Sequence, residues 1–333
     1  MDATSASASA AFGETADVEI TILVDNCADL LVRSTDTVKR FTDAPLLAEH
    51  GFAAMVNLKA AGLRILWDAG VTGNGLIENM ARMKIRPASI DKIALSHGHG
   101  DHTAALTNVI KAMDLLAKPK KWERDATAED MLQWAKGRHV SLIVHPAAFR
   151  ERWGTQKDGS RYGPVLPPPR AEWEAAGAQI ILAEGPSQLG PGCWTTGAVA
   201  RQSFETAGIS SKRLYRAGDS FLPDLVEDDQ AMVINVRDKG LLILAGCAHS
   251  GILNTVNYAR QISGVNAVWA VIGGFHLAPA TGADIQRTVD GMKAFSPKLI
   301  SPSHCTGLTA IAQFAAQMPD AFVQSVVGTT YAF

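Results

Sequence analysis

The first half of the chain alternates short apolar runs with turn signals. Val18–Val24, Phe52–Leu58 and Leu63–Trp67 are rich in β-formers, and the turn-like Lys59-Ala60-Ala61-Gly62 separates the last two. Leu76–Met83 has helical spacing, with Leu76, Ile77, Met80 and Met83 on one face. A short strand over Lys92–Ser96 runs straight into His97-Gly98-His99-Gly100-Asp101-His102, and Thr103–Leu116 reads as the next helix. Val140–Val144 returns to strand. In the second half, strands are predicted over Gln179–Leu182, Arg213–Tyr215, Ala231–Val236, Leu241–Ala245, Ala267–Ile272 and Leu299–Ser301. Helices are predicted over Gly251–Ile262, Ala283–Phe295 and Thr306–Gln317. Strand clusters flanked by helices in both halves, with no glycine-rich linker, predict one αββα sandwich of two mixed sheets over residues 18–333.

Two segments depart from this grammar. Residues 118–138 are locally basic and then helical, and residues 154–170 read as a Gly/Pro-rich loop ending in Pro167-Pro168-Pro169. Both are expected as insertions on the rim, where long loops serve as lids, binding loops or contact arms. They are the natural setters of specificity and candidates for a homodimer contact. Met1–Asp17 is Ala/Ser/Thr-rich, lacks Lys and Arg, and reads as a disordered leader rather than a signal peptide.

Composition narrows the function. Of 333 residues 47% are apolar, ample for a core, and 31 basic against 33 acidic side chains give a net charge of −2. That balance argues against a nucleic-acid binder relying on broad phosphate neutralisation. No apolar run approaches the roughly 18–20 residues of a membrane span, and four cysteines without a CxxC pair do not make a disulfide framework or a zinc finger. These features predict a cytoplasmic protein acting on a small molecule.

The chemistry lies in the histidines. In an extended segment His97, His99 and Asp101 share a face, and His102, at the start of the next helix, can turn back to the same point. Imidazole and carboxylate are common ligands of catalytic zinc. Gly98 and Gly100 permit close approach of backbone or ligand. Asp68 ends a strand in a turn, where its carboxylate could accept the outer N–H of a ligand histidine. His249 follows an apolar strand and precedes a helix, the same setting as the main cluster. His276, after Gly273-Gly274, is a candidate hydrogen-bond donor or acid/base, with packing as the plain alternative. His50 is a candidate lining residue with a loop role as alternative, His145 reads as a strand-end residue and His139 as surface. Cys247 and Cys305 flank ligand candidates; both read as small buried hydrophobes, with a thiolate ligand open at Cys247. Arg150 and Arg201 could meet an anion but more often pair with carboxylates. Trp122, Trp134 and Trp153 lie in or near the two insertions.

The run from Ser96 to His102 matches the HxHxDH motif and thereby resembles the metallo-β-lactamase superfamily. Trp67-Asp68-Ala69-Gly70 looks like the Asp-x-Gly strand end that precedes the motif there. Gly246-Cys247-Ala248-His249-Ser250-Gly251, Gly273-Gly274-Phe275-His276-Leu277 and Pro302-Ser303-His304-Cys305-Thr306-Gly307, with Glu49-His50-Gly51 and Asp228-Asp229-Gln230, resemble the branch of dihydropterin-linked ribofuranosylaminobenzene phosphate synthases. The resemblance implies the αββα sandwich with metal at one edge. His97 and His99 would hold a first ion, Asp101 and His102 a second, His304 would be the last histidine, and His249 completes the set. Many members carry a bridging Asp after a strand; here Cys247 stands two residues before His249, so the bridge stays unassigned. A mononuclear site at Asp101, His102 and His304 remains the alternative.

These readings together predict a metal-dependent hydrolase. One or two Zn²⁺ ions, with iron or manganese as alternatives, would activate water against a small-molecule ester, lactone, phosphoester or activated aromatic carbon, with a pterin-like substrate in view. Asp101 would orient the water or take its proton, and His276 would act on the substrate. Competing readings are an iron-dependent oxygen or sulfur oxidoreductase, which His99 in place of Glu disfavours, and a non-enzymatic ligand binder with a degenerate site.

Overall fold

The computed structural model describes residues 11–115, 127, 128, 131, 137–206, 208, 210 and 212–333. Residues 1–10 and nearly all of 118–138, Trp122 and Trp134 included, lie outside the described residues. Two large sheets face each other. The first joins β1 (Val18–Val24), β2 (Val38–Arg40), β3 (Ala53–Leu58), β4 (Leu63–Trp67), β5 (Lys92–Ala94), β6 (Val140–Val144), β9 (Ala178–Leu182) and β18 (Thr329–Ala332) in the order β2-β18-β1-β3-β4-β5-β6-β9. Its strands are antiparallel as far as β4 and parallel from β4 to β9. The second joins β10 (Ser187–Gly190), β11 (Cys193–Thr195), β14 (Ala231–Val236), β15 (Gly240–Ala245), β16 (Val268–Gly274) and β17 (Leu299–Ser303), with β15, β16 and β17 parallel.

The period of two along each strand deals side chains into separate cores. In β4, Ile65 and Trp67 enter the layer between the sheets while Leu66 faces outward. In β15, Leu242 and Leu244 face the other sheet, and Leu241, Ile243 and Ala245 face helices. The outer face of the first sheet is covered by α1 (Gly75–Arg82), α3 (Leu106–Ala112) and α4 (Arg170–Ala175) through Leu76, Met80, Leu106, Ile110 and Trp173. The outer face of the second is covered by α5 (Ile252–Ser263), α6 (Gly282–Phe295) and α7 (Leu308–Gln317) through Ile252, Val256, Val289 and Phe314. The expected αββα sandwich of two mixed sheets is present.

Three expectations need correction. The helix predicted over Thr103–Leu116 is interrupted: α2 covers Gly100–Thr103, and α3 follows from Leu106. The carbonyls of Asp101 and His102 accept the backbone N–H groups of Phe52 and Ala69 (3.2 and 2.7 Å), so they are drawn away from the helical ladder and tied to the first sheet. The segment 154–170 is not all loop, because two strands enter it. β7 (Arg152–Thr155) and β8 (Arg161–Val165) form a hairpin, and with β12 (Arg213–Ala217) and β13 (Ser220–Pro223) they build a third sheet in the order β13-β12-β7-β8. Finally, the described end of the leader is docked. Phe12 is buried and stacks on Trp194 at 5.4 Å, whose Nε1 donates to the Phe12 carbonyl, and Thr15 bonds the backbone of Asn235 and Arg237. Asn235 Nδ2 also donates to the Gly13 carbonyl and Arg237 pairs with Glu14, so ring, backbone and charge together hold the strip.

Candidate active site

The predicted residues gather where parallel strands end, the usual place for a site in such sheets. Asp68 follows β4, His97 to His102 follow β5, Cys247 and His249 follow β15, His276 follows β16 and His304 follows β17. Asp68, Ala248, His276 and His304 all have positive φ (58°, 51°, 46° and 48°). For residues with a Cβ that backbone is costly, and it persists where surrounding contacts fix it. Gly98 and Gly246 are required by space. A Cβ on Gly98 would strike the Ala148 carbonyl, and one on Gly246 would strike Ser96 Oγ and lie 2.9 Å from Asp68 Oδ2. Gly100, in contrast, opens onto free space.

Each inner histidine is held by its outer nitrogen. Asp68 is fully buried and accepts three bonds at 2.7 Å, from Ser96 N, Ser96 Oγ and His102 Nδ1. Ser96 Oγ in turn accepts from His97 Nδ1 at 2.9 Å. His249 Nδ1 donates to the Gly208 carbonyl and His304 Nδ1 to Asn26 Oδ1, both at 3.2 Å. With Nδ1 protonated, each Nε2 offers a lone pair inward.

The inward atoms converge. His102 Nε2 lies 3.1 Å from Cys247 Sγ, 3.2 Å from His304 Nε2 and 3.7 Å from Asp101 Oδ2, which is 3.4 Å from His304 Nε2. His97 Nε2 is 2.9 Å from His99 Nδ1, and the donors of His97, Cys247 and His249 lie within 4.8 Å of one another. Tetrahedral zinc, with Zn–N near 2.0 Å and Zn–S near 2.3 Å, spaces neighbouring donors about 3.3–3.6 Å apart. His249 Nε2 is buried with no hydrogen-bond partner, which is costly for a polar atom unless a cation meets it. The donor set therefore fits a metal.

Electrostatics agree. Burial and then mutual repulsion hold His97 and His249 well below the ordinary histidine range, and burial with nearby Arg152 does the same for His99, so all three are neutral donors. Burial opposes charge on His102 too, yet Asp68 and Asp101 outweigh it and raise it to about 9: without metal, a proton occupies this place. Burial likewise opposes charge on Asp101, but His102 and His304 prevail and hold it well below the usual carboxylate range. Burial pushes the Cys247 thiol up.

A cavity of about 450 Å³ opens beside these donors, lined on the site's side by His99, Asp101, Cys247, His249 and His276. The third sheet supplies the facing wall with Trp153, Tyr162 and Arg213. Arg213 Nη1 has no hydrogen-bond partner. Arg152, buried beneath, donates to Asp224 Oδ2 (2.8 Å) and Asp228 Oδ1 (2.6 Å), and Asp228 Oδ2 accepts Gly98 N at 2.7 Å, tying the third sheet to the histidine loop.

Comparison with known proteins decides the family. Residues 51–259 match the profile of the metallo-beta-lactamase superfamily. The chain belongs to that superfamily. Among its relatives, a protein of Methanocaldococcus jannaschii named 7,8-dihydropterin-6-methyl-4-(beta-D-ribofuranosyl)-aminobenzene-5'-phosphate synthase is 29% identical over 315 residues, covering 91% of this chain and 99% of its own. An uncharacterised protein of the same archaeon is 30% identical over 297 residues, covering 89% and 93%. A solved metal-dependent hydrolase of the β-lactamase superfamily superposes with a TM-score of 0.68 at 18% identity, over 94% of this chain and 98% of that one. The resemblance to both the superfamily and its synthase branch is thus shown.

Within this superfamily frame, the predicted residues fall as follows. His97, His99, Asp101, His102, His249 and His304 come together, and Asp68 stands behind His102. Cys247, which the sequence reads as a small buried residue beside the ligands with a thiolate ligand open, has its sulfur inside the donor set. His276 lines the cavity 4.1 Å, ring to ring, from His249, with Nδ1 unpartnered. His50 also lines it, with Nε2 3.6 Å from Asp101. His145 accepts Ala147 N at the start of a short turn, and His139 is exposed. Arg150 pairs with Glu227 through Nη2 while its Nη1 has no hydrogen-bond partner, and Arg201 is committed to the carbonyls of His249 and Leu225. Sequence reasoning passed over Arg152, Asp224, Asn26 and Arg213. Nothing local marks them, because their roles depend on the third sheet and on contacts across the chain.

No helix of the described residues is long and apolar enough to cross a membrane.

Proposed function

We propose that the chain is a zinc-dependent hydrolase of a small anionic aromatic substrate, a phosphoester or pterin-like compound. The observation that carries this reading is the set of tethered imidazoles, His97, His102, His249 and His304, whose free nitrogens meet Asp101 and Cys247 at the wall of a cavity. His97, His249 and His99 would hold one ion, and Asp101, His102 and His304 the other. When bound, zinc supplies Lewis acidity and lowers the pKa of water toward about 7. Asp101 stays ionised, so its carboxylate accepts a hydrogen bond and orients attacking water. His276 Nδ1, unpartnered at the cavity, donates to the leaving group. Trp153 and Tyr162 offer faces for an aromatic ring, and Arg213 offers an unpaired donor for an anionic group. The αββα frame and the similarity to a solved metal-dependent hydrolase support this reading.

A second reading comes from the relative named as a synthase: the same centre would join a dihydropterin that carries a leaving group to an aminobenzene, the bond to the leaving group breaking and a proton being released as the new bond forms. Both readings are separated by one experiment. Chelator-treated and zinc-restored protein is assayed on phosphoester, ester and lactone panels, and on paired pterin and aminobenzene phosphate substrates. Metal-restored cleavage supports hydrolysis, a joined product supports the synthase reading, and activity that survives complete metal removal contradicts both.

A further inference from the structure

Among the described residues three groups of possible donors can be drawn around the site, and all three contain Cys247; two of them carry the predicted ligand histidines. Asp101, His102, His304 and Cys247 form one set, and His97, His249 and Cys247 form the other, each with all donor atoms within 4.8 Å. No other residue belongs to both. We propose that the Cys247 thiolate bridges two soft divalent ions, taking the position the superfamily resemblance left unassigned. The proposal rests on the metal-dependent reading above.

The backbone leaves Sγ little choice. Cys247 is 2% exposed and follows β15 directly. Gly246 packs against Ser96 and Asp68, and Gly274 packs against the Gly246 carbonyl and Cys247 Cα, so the turn is clamped from both sides. Ala248 then takes a positive φ of 51°, which swings His249 back beside Cys247. Sγ lies 3.1 Å from His102 Nε2. The buried, partnerless Nε2 of His249 belongs to the other set, so a donor on each side awaits the same cation pair. A cation in that set would meet the nitrogen, and a thiolate shared with the Asp101, His102 and His304 set would give both ions one negative charge.

The consequence is selectivity. Thiolate favours zinc, cadmium and cobalt, whereas an all-carboxylate and imidazole site also accepts manganese. Cys305 lies alongside, with Sγ 3.6 Å from the Cys247 carbonyl oxygen, and forms a group with Cys247 and His276. It lies outside the two sets that carry the predicted ligand histidines, so its substitution is the control that separates the Cys247 sulfur from its neighbour.

The test is cadmium NMR on the whole chain after chelation and cadmium loading, with zinc X-ray absorption alongside. The expected result is two cadmium signals, both deshielded by sulfur, and a Zn–S distance near 2.3 Å. Cys247→Asp moves both signals upfield and removes the sulfur scattering, while Cys305→Ser leaves both in place. If Cys247→Asp does not fold, Cys247→Ser and the wild-type signals carry the test. One sulfur-shifted signal beside an unshifted one means a terminal thiolate and overturns the bridge. Two signals with only nitrogen and oxygen character overturn it as well, yet leave the metal-dependent reading standing. Failure to take up any ion overturns that reading too.

Discussion

Replacing Asp68 with Asn perturbs the centre through one proton. Asp68 accepts Ser96 N, Ser96 Oγ and His102 Nδ1, all at 2.7 Å and fully buried. An Asn can still accept Ser96 N, but its amide then faces His102 Nδ1 with hydrogens. His102 is forced to carry its proton on Nε2, the atom that points at Cys247 and His304. Zinc affinity should fall about 10–100-fold, the usual effect of disturbing a ligand's carboxylate partner. The metal-free protein reports the same change differently. Asp68 and Asp101 raise His102 from 6.5 to about 9 against the cost of burial, a difference worth roughly 3 kcal/mol. Because the folded-state value is raised, that stabilisation is complete below pH 6.5 and is lost as pH climbs through about 9. Asp68 supplies the larger share of the two carboxylates, so Asp68→Asn should flatten the decline. The assays are zinc competition against a chelator and denaturant unfolding of metal-free protein from pH 6 to pH 10. Wild-type zinc affinity in Asp68→Asn, or an unchanged slope of stability with pH, would refute the reasoning.

Other perturbations follow from the same geometry. Arg152→Met strands two buried carboxylates, Asp224 and Asp228, and should destabilise by about 3–5 kcal/mol, read as a fall in Tm; an unshifted Tm contradicts the tether. Gly246→Ala drives a methyl into Ser96 and toward Asp68 and should cost about 1–3 kcal/mol together with metal occupancy, measured by unfolding and elemental analysis. Arg213→Gln should raise KM for phosphate-bearing substrates about tenfold or more, the value of a charged hydrogen bond, while neutral substrates keep theirs; equal effects on both would remove Arg213 from anion binding. Zinc binding to metal-free protein near pH 7 should release the His102 proton and the Cys247 proton, visible as buffer-dependent heat in calorimetry, and Cys247→Ser should release fewer.

The strands that sequence located best are those buried on both faces. β1, β4, β6 and β14 begin and end where the apolar runs do, because the whole run is needed to fill two cores at once. Short edge strands such as β2, β10 and β13 carry no such run and went unread. The β7–β8 hairpin reads as loop in the sequence because Gly154, Gly159, Gly163 and Pro164 punctuate it; Gly154 is there because the Tyr162 ring lies across its backbone. The histidine cluster was legible because its spacing is local, and the distant His249 and His304 because each follows a strand. Cys247 carries no such local signal for its place among the donors. Its neighbours in sequence are small and apolar, and only the packing of the turn after β15 against Ser96 and Asp68 of the facing sheet puts its sulfur against His102. The same holds for Arg152 and Arg213, whose surroundings are made by strands far away in the chain.

The central claim is that the tethered imidazoles surround cations. Anomalous diffraction at the zinc edge, from crystals of zinc-loaded protein, tests it most directly. The account predicts anomalous peaks within bonding distance of His102 and His304 and of His97 and His249. Absence of any peak there, with His102, His304 and Cys247 in direct contact, would contradict it.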